Sequence, residues 1–233
     1  VESQEAIATR ALVDDLGEQS QLEDILDRRK PDYPPETQAL IDGGLHYLLA
    51  TPFRYPPLRA GSRFGSADRR GIFYGAQAVA TALAETAYYR FRFWHAMSDA
   101  PASPLQTQHT IFSVDYDGPG VALHEPPFDA WHAKIADPCS YAETQPLGNA
   151  MRANSVTVFE FPSARDPGGG HNVGLFTPTA LAQLAPKEWI DNVLCETGGA
   201  CVQFWGRGLA YYVFRVEIFL VDGRLPRPGL DSP

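Results

Sequence analysis

The chain has no run approaching the ~18 consecutive apolar residues of a membrane span, no Cys-x-x-Cys pair and no surplus of positive charge, and each absence removes a class of function. The opening Val1-Glu2-Ser3-Gln4-Glu5 lacks the basic-then-apolar layout of a signal peptide, so a cytoplasmic protein without membrane contact is expected. Cys139, Cys195 and Cys201 make an odd count with no histidine pair at zinc-ligand spacing, so neither a disulfide framework nor a metal site is expected. A net charge of −9 argues against a broad grip on nucleic acid, which needs positive surface. Also missing are a Gly-x-Ser-x-Gly elbow, a His-Glu-x-x-His helix and a Gly-x-Gly-x-x-Gly strand–helix unit, the marks of common hydrolases, zinc proteases and dinucleotide folds. Gly168-Gly169-Gly170 is not followed by Lys-Ser/Thr and reads as a turn. Of six scattered histidines only His171, beside that turn, is placed to border a pocket.

What is present is enough for a globular core, since 44% of 233 residues are hydrophobic. Two units are expected, an N-terminal helical arm over residues 1–44 and a larger domain over 45–233. In the arm, Ile7, Leu12, Val13 and Leu16, then Leu22, Ile25 and Leu26, recur at helical intervals and predict one or two amphipathic helices. Such an arm suits either packing within the chain or a homodimer contact. Residues 40–49 predict a further short buried helix. Gly71-Ile72-Phe73-Tyr74-Gly75 predicts a short strand, and the alanine-rich stretch from Ala76 to Trp94 a helix packed closely on a neighbour. Beyond His109, β-branched and aromatic runs at 110–114, 155–161, 172–176, 200–205 and 209–221 predict strands, with one helix over 144–154. The fold class is therefore α+β, with a split, mostly antiparallel sheet and flanking helices.

The chemistry concentrates between Thr51 and Arg92. Arg54, Arg59, Arg63, Arg69 and Arg70 put five of the 19 basic residues within 17 positions, either a solvated basic loop or a local site for an anion in an acidic protein. Tyr55 and Tyr74 add flat faces with polar tips. Glu85 sits on the alanine-rich helix on a face shared with Thr81, Ala82, Tyr88 and Tyr89. It is either an exposed helix glutamate or a carboxylate with room for a ligand beside it.

Thr51-Pro-Phe-Arg54-Tyr55, Gly61-Ser-Arg63-Phe64, Gly71-Ile-Phe-Tyr74-Gly and Ala80-Thr-Ala-Leu-Ala-Glu85 together resemble the RES domain. Tyr141-Ala-Glu-Thr-Gln145-Pro-Leu-Gly148, Phe161-Pro-Ser163-Ala-Arg165-Asp and Asn172-Val-Gly-Leu-Phe176 are similar to the rest of its pattern, over roughly residues 45–220. The resemblance implies a fold like that of ADP-ribosyltransferases and a toxin of a toxin–antitoxin pair that consumes NAD as substrate without a metal. By position it makes Glu85, Arg54 and Ser163 catalytic, and Arg54, Tyr55, Arg63, Tyr74 and Ser163 the residues that hold NAD. A serine usual after the tyrosine is replaced here by Ala142, which leaves Ser163 as first choice for the family serine and Ser140 as second. The implied reaction is cleavage of the nicotinamide–ribose bond by water or phosphate. Mono-ADP-ribosyl transfer to a cellular protein and non-enzymatic nucleotide binding are the alternatives. A cognate antitoxin is the implied partner.

Overall fold

The computed structural model describes residues 2–4, 15–55 and 59–229. In chain order its elements are β1 (Glu2–Gln4), α1 (Leu16–Arg28), α2 (Pro35–Asp42), α3 (Tyr47–Ala50), β2 (Phe73–Ala76), α4 (Val79–His95), β3 (Leu105–Phe112), β4 (Gly120–Ala122), α5 (His132–Ile135), α6 (Thr144–Ala153), β5 (Val158–Pro162), β6 (His171–Leu175), β7 (Trp189–Thr197), β8 (Cys201–Gly206) and β9 (Leu209–Arg215). The strands form two sheets. One is fully antiparallel in the order β1-β3-β7-β8-β9, and the other runs β2-β6-β5-β4 with only the β4–β5 pair parallel. The expected α+β class with split antiparallel sheets and flanking helices is what the chain forms.

Helix α4 lies against the five-stranded sheet because its apolar residues recur at the helical period. Leu83, Ala84, Ala87, Tyr88 and Phe91 pack on Val193, Cys195, Val202, Phe204 and Phe214, all buried. Each large side chain so buried stabilises the fold by about 1.5–3 kcal/mol. The four-stranded sheet is covered on both faces. Leu45, Leu49 and Phe53 meet Phe73, Val173 and Leu175 on one, and Phe64, Met151 and Ile135 meet Phe159 and Phe161 on the other. Gly148 in α6 makes the second contact close. A Cβ there would lie 1.9 Å from the Phe64 carbonyl oxygen, so any side chain would push the loop bearing Arg63 away.

Four sequence expectations change. The helix predicted over 40–49 is two helices, α2 and α3, parted at Gly43-Gly44. Gly44 takes φ +100°, and the Leu45 amide donates back to the Leu40 carbonyl, closing α2. Residues 2–4, predicted helical, form β1 instead, which pairs with the otherwise open edge of β3. Ile7, Leu12 and Val13 lie outside the described residues. Helix α1 does form from the arm, with Ile25 and Leu26 exposed. Strands β4 and β7 were not foreseen; in β7 the charged and amide residues Asp191 and Asn192 interrupt the apolar pattern, and Asn192 adopts φ +56°.

Candidate active site

A cleft of about 860 Å³ opens where β2, α4 and β6 approach the inner strands of the other sheet. At one end its walls are Arg63, Tyr74, Glu85, Tyr89, Tyr141, Arg165 and Asn172; at the other they are largely apolar, with Leu48, Phe73, Ile111, Val114 and Ile190 around Glu188. Helix α4 places Glu85 one step round from its buried stripe, so Ala82, Glu85, Thr86 and Tyr89 face the cleft while Tyr88 faces the core.

One carboxylate oxygen of Glu85 is the hub. Glu85 Oε1 accepts from Ser163 Oγ at 2.6 Å and from Asn172 Nδ2 at 2.7 Å. Ser163 Oγ itself accepts from the backbone amides of Arg165 and Asp166, both at 3.1 Å, so its proton is committed to Glu85. Asp166 then closes the glycine turn. Its Oδ1 accepts from the Gly168 amide and its Oδ2 from the Gly170 amide and Thr81 Oγ1. The turn's donors are thus occupied internally, and a Cβ at Gly170 would sit 2.0 Å from Thr81 Oγ1. Ser140, the second choice for the family serine, accepts from the Ala142 amide at 3.1 Å and caps a turn before α6.

Two tyrosines beside that hub, Tyr74 and Tyr89, are harder to ionise than usual. The Tyr74 hydroxyl accepts from the Phe64 amide and shares a hydrogen bond with Ser62 Oγ, and burial of the hydroxyl pushes its pKa up to about 12. Burial, followed by the neighbouring Tyr141 and Glu85, also pushes the Tyr89 hydroxyl up. Arg63 donates through Nη1 to the carbonyls of Ile135 and Asp137 at 3.0 and 2.8 Å, and its guanidinium lies 5.2 Å from the Tyr141 ring centre. Arg165 donates through Nη2 to the Pro138 carbonyl at 2.8 Å and stacks on Tyr88 at 3.6 Å.

The structure therefore brings together Glu85, Ser163, Arg63 and Tyr74 of the sequence-predicted set. It does not bring Arg54 or Tyr55 to the cleft. Arg54 follows a tight 3-10 turn, Thr51–Phe53, whose Phe53 is buried; its Nε donates to the Pro31 carbonyl and its guanidinium sits 4.5 Å over Tyr33. Tyr55 is exposed. His171 also misses the cleft and stacks on His124 with ring centres 4.0 Å apart. Tyr89, Tyr141, Arg165 and Asn172 stand beside Glu85, Arg63 and Tyr74 in the cleft with no role assigned from the sequence. Tyr89 was legible as the i+4 neighbour of Glu85, and the other three stand inside segments already singled out.

Residues 37–193 match the RES domain. The chain belongs to the RES domain family. RES domains are associated with toxin–antitoxin systems and with NAD-related activity. The match covers β2, α4, β3 and β6, which line the cleft, and the first residues of β7, whereas β8 and β9, which back α4, lie beyond it. No curated protein matches the chain. Among the described residues no group of three or more His, Cys, Asp or Glu side chains is placed to hold a metal ion, and no helix is long and apolar enough to cross a membrane.

Proposed function

We propose that this RES domain breaks the nicotinamide–ribose bond of NAD and so depletes the cofactor. The observation that carries the reading is the Glu85 carboxylate fixed on one oxygen by Ser163 and Asn172, at the polar end of a cleft large enough for a dinucleotide. In NAD the nicotinamide is a cationic leaving group. As the C1′–N bond stretches, the bonding pair leaves with nicotinamide and positive charge grows on the ribose. A preorganised carboxylate stabilises that charge, at a worth of roughly 100- to 1000-fold in rate for a group of this kind. Water then adds to C1′ and one proton is released, giving ADP-ribose. Phosphate in place of water gives ADP-ribose 1″-phosphate.

Other residues prepare this step. Ser163 and Asn172 hold Glu85 in one rotamer, which removes the reorganisation it would otherwise need. Tyr74 and Tyr89 offer ring faces to the flat nicotinamide, and Arg63 supplies positive charge for the pyrophosphate. Arg54, packed on Tyr33 and Pro31, is left out of the clamp. A cytoplasmic enzyme that drains NAD calls for an inhibitor protein, the antitoxin partner, that fills the same cleft.

The test is incubation of the protein with NAD, with and without phosphate, followed by separation of products. Free nicotinamide with equimolar ADP-ribose or its 1″-phosphate is expected. Label from NAD retained on a protein would shift the acceptor to a side chain, and no loss of NAD would overturn the reading.

A further inference from the structure

Two polar side chains of the cleft are almost fully buried yet incompletely partnered. Arg165 and Asn172 are each 5% exposed; Nη1 of the first and Oδ1 of the second have no hydrogen-bond partner among the described residues. A buried donor or acceptor left unpaired is destabilising, and more so if it is charged. Both flank the same carboxylate. Asn172 spends its amide nitrogen on Glu85 Oε1, and the Arg165 amide shares Ser163 Oγ with Glu85.

The orientation of Arg165 is fixed from two directions. Stacking at 3.6 Å on Tyr88 sets the plane of the guanidinium, and the bond from Nη2 to the Pro138 carbonyl sets its rotation within that plane. Tyr88 is held in turn by its hydroxyl, which donates to the Pro226 carbonyl at 2.6 Å. Nη1 therefore has one direction. Arg63 rests on the same loop through the Ile135 and Asp137 carbonyls, so two guanidinium groups share one rail of backbone oxygens beside a single carboxylate. Burial, with Arg63 as a like-charged neighbour, makes the charged form of Arg165 harder to hold than usual. An anion arriving at Nη1 relieves that cost, and a hydroxyl arriving at Oδ1 of Asn172 supplies its missing donor.

We propose that Arg165 binds a phosphoryl oxygen of the substrate while Asn172 accepts from an adjacent sugar hydroxyl, so that the cleft selects ribosyl substrates carrying a 5′-phosphate. This rests on the reading of the cleft as a nicotinamide-ribosyl site. It adds a specificity-determining pair and shifts the second guanidinium of the clamp from Arg54 to Arg165.

The experiment compares nicotinamide mononucleotide with nicotinamide riboside, which differ by one phosphate, as substrates of the wild type, Arg165→Met and Arg165→Lys. Calorimetric binding of ADP-ribose and of adenosine is measured alongside. The wild type is expected to favour the phosphorylated substrate in kcat/KM by roughly 10- to 100-fold, the range of a charge-assisted hydrogen bond. Arg165→Met is expected to abolish that preference, lowering kcat/KM for the mononucleotide far more than for the riboside, which brings no phosphate to Nη1. Arg165→Lys, which keeps charge without the fork, is expected to fall between them. Equal losses on both substrates, or a wild type without preference, would overturn the assignment. If NAD is not cleaved but ADP-ribose binds more tightly than adenosine, and that margin vanishes in Arg165→Met, the reaction fails and the subsite stands.

Discussion

Helix α4 carries two stripes that obey different rules. Leu83, Ala84, Ala87 and Phe91 form a buried seam against the five-stranded sheet, and within it one apolar side chain of the right volume does much the work of another. A quarter-turn away, Ala82, Glu85, Thr86 and Tyr89 face the cleft, where Glu85 has value only because two partners from other elements meet one of its oxygens. The seam is held by area, which is cumulative and forgiving. The site is held by direction, which is neither. The same helix thus provides a stable rail and an aimed carboxylate, and the two can be broken separately.

The largest effect on stability is expected from the seam. Phe91 is fully buried, with its ring centre 5.7 Å from that of Phe219, and Phe91→Ala should cost about 3–5 kcal/mol in denaturant unfolding. At temperatures where the variant stays folded, kcat should be close to wild type. The converse is Glu85→Gln. A glutamine oxygen can still accept from Ser163 and Asn172, so the substitution removes charge at nearly constant shape and hydrogen bonding. Turnover of NAD should fall at least ~100-fold with binding of NAD retained and unfolding little changed. Unchanged turnover would remove Glu85 from the mechanism, and loss of stability matching that of Phe91→Ala would make the carboxylate a structural group.

The same division decides what could be read in advance. The seam was legible because apolar residues at the helical period announce a buried face whatever covers it. The class of fold followed from strands with β-branched and aromatic runs, such as β5 and β6. Strand β7 is hard to read because Asp191, Asn192 and Glu196 interrupt its apolar residues, Leu194 is exposed between the buried Val193 and Cys195, and Asn192 takes φ +56°. In the candidate site, Glu85 and Ser163 stand at positions that the resemblance to the RES domain singles out. Their meeting is a tertiary fact, since they stand 78 positions apart in sequence. Arg54 lies off the cleft for a related reason: proximity in sequence to Arg63 says nothing of direction, and after the turn at Thr51–Phe53 it packs on the Pro31 carbonyl and Tyr33 while Arg63 lines the cleft. Arg165 stands in the Phe161–Asp166 motif but outside the basic segment, so the sequence gives it no role. Its value lies in how Tyr88 and the Pro138 carbonyl orient it, which no spacing encodes.

The smallest expected effect lies just outside the cleft, at the stacked His124–His171 pair. His124 Nε2 is 4.0 Å from carboxylate oxygens of both Glu125 and Glu160, and Glu160 accepts from the Tyr116 hydroxyl at 2.8 Å. Burial, then His124, holds the pKa of His171 below its ordinary value of 6.5; Glu160 opposes that shift and His132 adds to it. A histidine harder to protonate in the fold than in the open chain contributes its full stability above the unfolded value. That contribution is lost as the pH falls below it, because the unfolded state takes up the proton first. Melting temperature should therefore decline from neutral to mildly acidic pH, and the decline should be shallower in His171→Gln. His171 neighbours Asn172 in sequence but lies off the cleft, so the ratio of kcat for His171→Gln to wild type should stay flat over the same pH range. A pH-dependent change in that ratio, with melting unaffected, would instead tie the pair to the positioning of Asn172 against Glu85, and the boundary between rail and aimed group would have to be drawn one residue further along β6.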